Sequence, residues 1–349
     1  LAAGMTLREP RLWEYHNELA NGTDGAWNQF GNEGLDLGQR AFEIKRFSDS
    51  AIVPTGLPTY SSYWFGEEQA KALNNLGTVC HWAGHISEAV AALERALVLK
   101  ERLGLSASVM LTRNNLGSIY LSLGRLDEAQ RELSAVMTWA GSMEPMVVAL
   151  AHSNSADLHV LRGELDTAVE LYRTAHRTNQ QRSNAMADSH ALPGLVRALV
   201  MRDAPGDRAE AELLQPRLEA LHATSDLAET RTRYLTASAM LLDRLGRPEP
   251  ALELVRGALD VGEDRRQRFS EPFGTALEAQ WMEAILLGRL GRSVAARRAA
   301  LLARRELIKT SKLVGDHPAV QIFFDNNPLH RAILARQLET RPGYTWDPS

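Results

Sequence analysis

Gly84-His-Ile-Ser-Glu-Ala89, Gly124-Arg-Leu-Asp-Glu-Ala129 and Gly163-Glu-Leu-Asp-Thr-Ala168 repeat one local pattern, a glycine followed five residues later by alanine. Gly246-Arg-Pro-Glu-Pro-Ala251 and Gly291-Arg-Ser-Val-Ala-Ala296 continue the series. The first three glycines lie 40 and 39 residues apart and the last two 45, while the 83 residues from Gly163 to Gly246 leave room for one blurred copy. A period near forty describes units that cannot bury their own apolar faces and must stack on their neighbours. The expectation is an all-α stack of about six units, built for binding.

Apolar residues recur at helical spacing on both sides of each turn. Leu73, Leu76 and Cys80 precede Gly84, and Ala89, Leu93, Ala96 and Leu97 follow it. The next units read Leu116, Ile119, Tyr120 then Ala129, Leu133, Val136, and Ala156, His159, Val160 then Ala168, Leu171, Tyr172. Each unit is therefore predicted to be two antiparallel helices, with pairs near 68–103, 108–140, 146–182, 186–222, 228–262 and 272–311. In the fourth, Pro193-Gly194 falls where a helix should run and Asp203-Ala-Pro-Gly-Asp207 replaces the glycine turn, which predicts a kink or shifted angle.

Composition agrees. The 349 residues are 44% hydrophobic but 6% aromatic, and alanine and leucine fill the apolar positions, as suits closely packed helices. A formal charge of −4 gives no global pull toward nucleic acid or anionic lipid. The arginine-rich, lysine-poor composition points to a bacterial source. The lone Cys80 excludes an internal disulfide and multi-cysteine metal sites and fits a reducing compartment. No stretch has the roughly 18–20 apolar residues that span a bilayer, so the cytoplasm is expected. A first residue of Leu1 rather than methionine leads us to expect a piece of a longer protein.

Three regions are expected: a capping segment over 1–66, the stack over 67–311 and a closing segment over 312–349. The first holds predicted helices over 1–20 and 35–47 and an aromatic stretch through Tyr60, Tyr63, Trp64 and Phe65, either a cap on the first pair or a lid. In the last, Asn327-Pro328 is a helix start, opening Leu329 to Leu338.

These units resemble tetratricopeptide repeats. Gly77, Gly117 and Ala156 stand at the family's small-residue position, with Cys80, Tyr120 and His159 three later. Leu73-Asn-Asn-Leu-Gly77 and Thr112-Arg-Asn-Asn-Leu-Gly117 resemble the longer variety found in kinesin light chains and in bacterial signalling regulators of the MalT and AfsR type. The resemblance implies a right-handed α-solenoid with capped ends. Ile322-Phe-Phe-Asp-Asn-Asn-Pro-Leu-His330 resembles the ending of sensor modules in larger regulators.

Asn75, Asn115 and Asn154 each precede a turn glycine by nine residues. In peptide-binding relatives an asparagine here faces the groove and grips the ligand backbone, since one amide both donates and accepts. The alternative is that these amides bond the adjoining helix and bridge repeats. Neighbouring candidate peptide-binding positions are Lys71, Asn74, Thr78, Trp82, Asn114, Leu121 and Asp157, and later groove positions hold Arg233, Thr236, Glu278, Trp281 and Arg289. Trp281 is either an anchor-pocket wall or a packing residue. The places at which relatives carry a lysine or arginine carboxylate clamp hold Asn74, Thr78, Ser153 and Asp157, which argues against chaperone tails as ligands.

His81 and His85 are separated by the Gly84 turn, and a metal is not expected. Arg297, Arg298, Arg304 and Arg305 form a basic stripe, read as a solvated face, with an acidic partner or nucleic acid as the alternative. No phosphate loop, nucleophile elbow or zinc-helix motif is present, so neither enzyme nor cofactor is expected. The resulting expectation is a non-catalytic adaptor or sensor that binds a protein segment in a concave groove, with no membrane partner. A scaffold or oligomerisation module of a larger regulator and a small-molecule inducer sensor stay open, as do a fused domain and a homo-oligomer.

Overall fold

The computed structural model describes residues 62–139, 145–181, 185–225, 228–266 and 276–335. The helices expected over 1–20 and 35–47 lie outside them, as does Tyr60 of the aromatic stretch, whereas Tyr63, Trp64 and Phe65 stand in the first described helix. The described residues form fourteen α-helices and no strand. Paired in order, they are α1 (Ser62–Ala83) with α2 (Ile86–Arg102), α3 (Ser106–Ser122) with α4 (Leu126–Thr138) and α5 (Pro145–Leu161) with α6 (Leu165–Gln181). Then follow α7 (Ala185–Arg202) with α8 (Asp207–Thr224), α9 (Ala228–Arg244) with α10 (Pro248–Arg266), α11 (Ala276–Arg289) with α12 (Ser293–Ser311), and α13 (His317–Asp325) with α14 (Pro328–Ala335).

The repeated glycine acts through its backbone. Gly84, Gly124, Gly163, Gly246 and Gly291 all have φ between 71° and 81°, the left-handed region that a side chain disfavours. In each turn the next residue's amide donates to the carbonyl five residues back, at 2.8–2.9 Å, closing the helix with a Schellman bond. The alanine five residues on is fully buried in every case, at 0–1% exposure. In the fourth pair two residues are left-handed, Asp203, φ 50°, forty residues after Gly163, and Gly206, φ 92°. Aspartate is one of the few side chains that tolerates this conformation, but the turn differs from the others: the Ala204 amide donates to Asp207 Oδ2 at 2.8 Å instead of to the carbonyl five residues back, and the next helix starts only at Asp207. Helix α7 runs through Pro193 without a break.

The chain divides into two compact units, residues 1–79 with 89–109, and residues 80–88 with 110–349. In the first, Gly77 lets α1 and α2 approach closely: a Cβ there would stand 2.5 Å from Leu93 Cγ. Leu73, Ala89, Leu93 and Ala96 form the seam. This unit also buries Lys100 to 2% exposure, where its Nζ donates to Asn74 Oδ1 (3.4 Å) and the Ser108 carbonyl (3.2 Å). Burial, aided by the like charge of Lys71, pushes the ammonium down to about 8 from 10.5. Between pH 8 and 10.5 the unfolded chain therefore binds more protons, and stability rises with pH through that window. Below it the full penalty, about 3 kcal/mol, is present. Lys100→Met removes this titration, so the rise in stability between pH 8 and 10.5 is expected in wild type and absent in the variant, as read from unfolding at several pH values.

The second unit repeats the seam, with a Cβ on Gly117 meeting Leu133 at 2.8 Å. Its first helices α5, α7, α9 and α11 pack in sequence, each also packed on its own second helix. At its end Asp316 caps α13, accepting from Ala319 N at 3.2 Å, and Asn327 caps α14, accepting from Leu329 N at 2.9 Å. Asn326 Nδ2 donates to the Gly124 carbonyl at 2.8 Å, so the end of α13 reaches back to the α3–α4 turn of the same unit.

Candidate functional site

The first helices of the second unit are joined by polar side chains. Asn154 on α5 donates through Nδ2 to Asn114 Oδ1 on α3 at 3.0 Å, both residues being buried. His190 Nε2 on α7 meets Asp157 Oδ2 on α5 at 2.7 Å. Arg244 on α9 donates to the Val200 carbonyl on α7 at 3.0 Å, and Arg289 on α11 is paired with Asp243 on α9. Arg197 on α7 reaches past α9 to Glu278 on α11 at 2.7 Å.

Four of these residues, Asp157, His190, Arg197 and Glu278, converge on a pocket of about 90 Å³, which Tyr172, Pro193, Gly194, Arg233 and Thr236 also line. Four successive first helices thus supply one site, and α6 adds Tyr172. That phenol is 1% exposed, passes over Gly194 where no Cβ obstructs it, and donates to Asp157. Burial works against ionisation of Asp157. The His190 charge and hydrogen bond, the Tyr172 hydroxyl and the Arg233 charge outweigh it and bring the carboxyl down to about 2. Burial and the neighbouring Asp157 push the Tyr172 phenol well above its ordinary value, so it remains a donor. Burial also disfavours the Arg197 charge, but Glu278 holds it raised. The pocket therefore carries fixed charges of both signs at neutral pH. Its volume admits a side-chain head group or a few waters, against the several hundred cubic ångströms that a cofactor needs.

Asp157, Arg233, Thr236 and Glu278, all placed on the groove face by register, meet at this pocket. Arg289 lies in the Asp243 pair, and Trp281 is 1% exposed within the core. Leu121 and Asn114 are buried, while Asn115 is half-buried. In the first unit Asn74 is buried against Lys100, Asn75 is half-buried, and the Thr78 hydroxyl donates to the Asn74 carbonyl at 3.1 Å. Lys71 is exposed and paired with Glu67 and Glu68. The Trp82 side chain lies outside the described atoms. Sequence reading did not find Tyr172, His190 or Arg197. The available signal was Gly194, a mid-helix glycine with no turn to make.

Among the described residues no cluster of histidine, cysteine and carboxylate side chains could hold a metal, and no helix is long and apolar enough to cross a membrane. A family model, the tetratricopeptide repeat, matches residues 68–138, which run from within α1 to the end of α4. No curated protein matches the chain.

Proposed function

We propose that the chain is a non-catalytic protein-interaction module whose second unit takes a partner segment on the face formed by its first helices. The convergence of Asp157, His190, Arg197, Arg233 and Glu278 from four successive helices on one pocket carries this reading. Tetratricopeptide repeats generally mediate protein contacts, and the all-helical architecture suits that role. The pocket's size and mixed charge favour a partner that inserts one polar head group, with Asn115 and neighbouring half-buried positions meeting its backbone. The cellular setting that fits is the cytoplasm of a bacterium, in a signalling or transcription regulator like those of the MalT and AfsR type.

A second reading, in which the inner face is a structural spine, is favoured by the Asn154–Asn114 bond, where both amides are used within the protein. Capture from lysate of the source cells with wild type and Arg233→Glu, matched for circular dichroism and unfolding midpoint, separates the two. A partner held by wild type and lost by the variant supports the binding face. Equal capture by both assigns the face to the spine.

A further inference from the structure

Helix α12 buries Ala296, Ala299, Ala300, Ala303 and Leu307. On its opposite side Val294, Leu301 and Ile308, spaced seven apart and therefore on one line, are 82%, 54% and 41% exposed. Arg297 flanks this apolar line on one side, and Arg298, Arg305 and Lys309 flank it on the other, all exposed. The helix carries a single acid, Glu306, already within 3.4 Å of Lys309. Leu302, 50% exposed, stands beside the line on the Arg298 and Lys309 side, so the face carries a contiguous apolar patch of the kind that marks an interaction surface.

Elsewhere in the same unit α8, α9 and α10 enclose a cleft of about 590 Å³. Leu235 and Leu242 of α9, Leu245 in the turn after it and Leu254 of α10 form its floor and are half-buried. Its walls are mainly acidic: Glu212 and Glu219 on α8 and Glu253 on α10 are exposed, against Arg247 and the imidazole of His222. Gln215 Oε1, also lining the cleft, is buried without a hydrogen-bond partner among the described residues.

We infer that the occupant of the cleft is α12 of a second copy of this chain. An apolar line flanked by guanidinium groups matches a leucine floor walled by carboxylates in both chemistry and sign. Pairing α12 with α12 sets arginine against arginine, and cleft with cleft sets glutamate against glutamate. The contact is therefore head-to-tail, and it propagates unless rotation closes it into a ring. Three apolar side chains make a small interface, so assembly is weak, concentration-dependent and reduced by salt. This surface is independent of the inner-face pocket.

Sedimentation velocity of the full chain up to about 100 µM at low salt tests it. Wild type is expected to gain average mass with concentration, by roughly twofold or more. Glu212→Arg/Glu253→Arg in the cleft and Arg298→Glu/Arg305→Glu on α12 each abolish the gain, and an equimolar mixture of the two variants restores it. Leu301→Asp abolishes it as well. All five positions are exposed, and unchanged circular dichroism confirms the fold. A monomeric wild type, variants that associate like wild type, or a mixture that stays monomeric overturns the inference. Wild type that binds anionic vesicles or duplex DNA without self-association also overturns it and assigns the arginine face to that partner.

Discussion

Gly194→Ala is expected to destabilise the second unit by about 2–4 kcal/mol, although alanine is the better helix former by about 1 kcal/mol. A Cβ at this position stands 2.3, 2.5 and 2.9 Å from Tyr172 Cε1, Cζ and Cδ1. The ring is 1% exposed, so it has nowhere to retreat. Displacing it also pulls the hydroxyl from Asp157 and opens the pocket. Overpacking therefore outweighs propensity. Urea unfolding of Gly194→Ala, Tyr172→Leu and the double variant gives the coupling: removing the ring should recover most of the glycine penalty. A stabilised Gly194→Ala would show that the close approach is not a constraint.

The second large effect is Asp243→Ala. The Asp243 side chain is 2% exposed and its partner Arg289 is 12% exposed, so the substitution leaves a nearly buried guanidinium without its carboxylate. Losing one member of such a pair costs about 3–5 kcal/mol, whereas replacing both with apolar residues is close to neutral. The expected order of unfolding midpoints is wild type near Asp243→Leu/Arg289→Leu, with Asp243→Ala well below. A change in Asp243→Ala within about 0.5 kcal/mol of wild type, as for an ordinary surface substitution, contradicts the buried-pair account.

The turn glycines were legible because a left-handed residue closing a helix is a local requirement that a sequence displays directly. The Asp203–Asp207 segment was legible as a replaced turn but Asp203 was not legible as a left-handed residue, since its conformation shows only in the backbone. Losing that landmark left α7 without a register, so His190 and Arg197 could not be assigned a face, while Asp157, Arg233 and Glu278, each placed by its own glycine, could. Tyr172 sits at a packing position of a second helix and reaches the pocket only because Gly194 has no side chain. The glycine-aligned trio of Asn75, Asn115 and Asn154 differs by one residue from the bond formed, Asn154 to Asn114. Helix α13 was also missed, although Asp316 followed by Pro318 is a usable start signal.

The central claim is that partners meet the face made by the first helices of the second unit. The direct measurement is site-specific photocrosslinking in source-cell lysate, with a photoreactive residue at position 233, half-buried at the pocket, or at position 131, exposed on α4. The account predicts a discrete crosslinked partner from position 233 and none from position 131. Crosslinks from position 131 alone, or the same products from both positions, would contradict it.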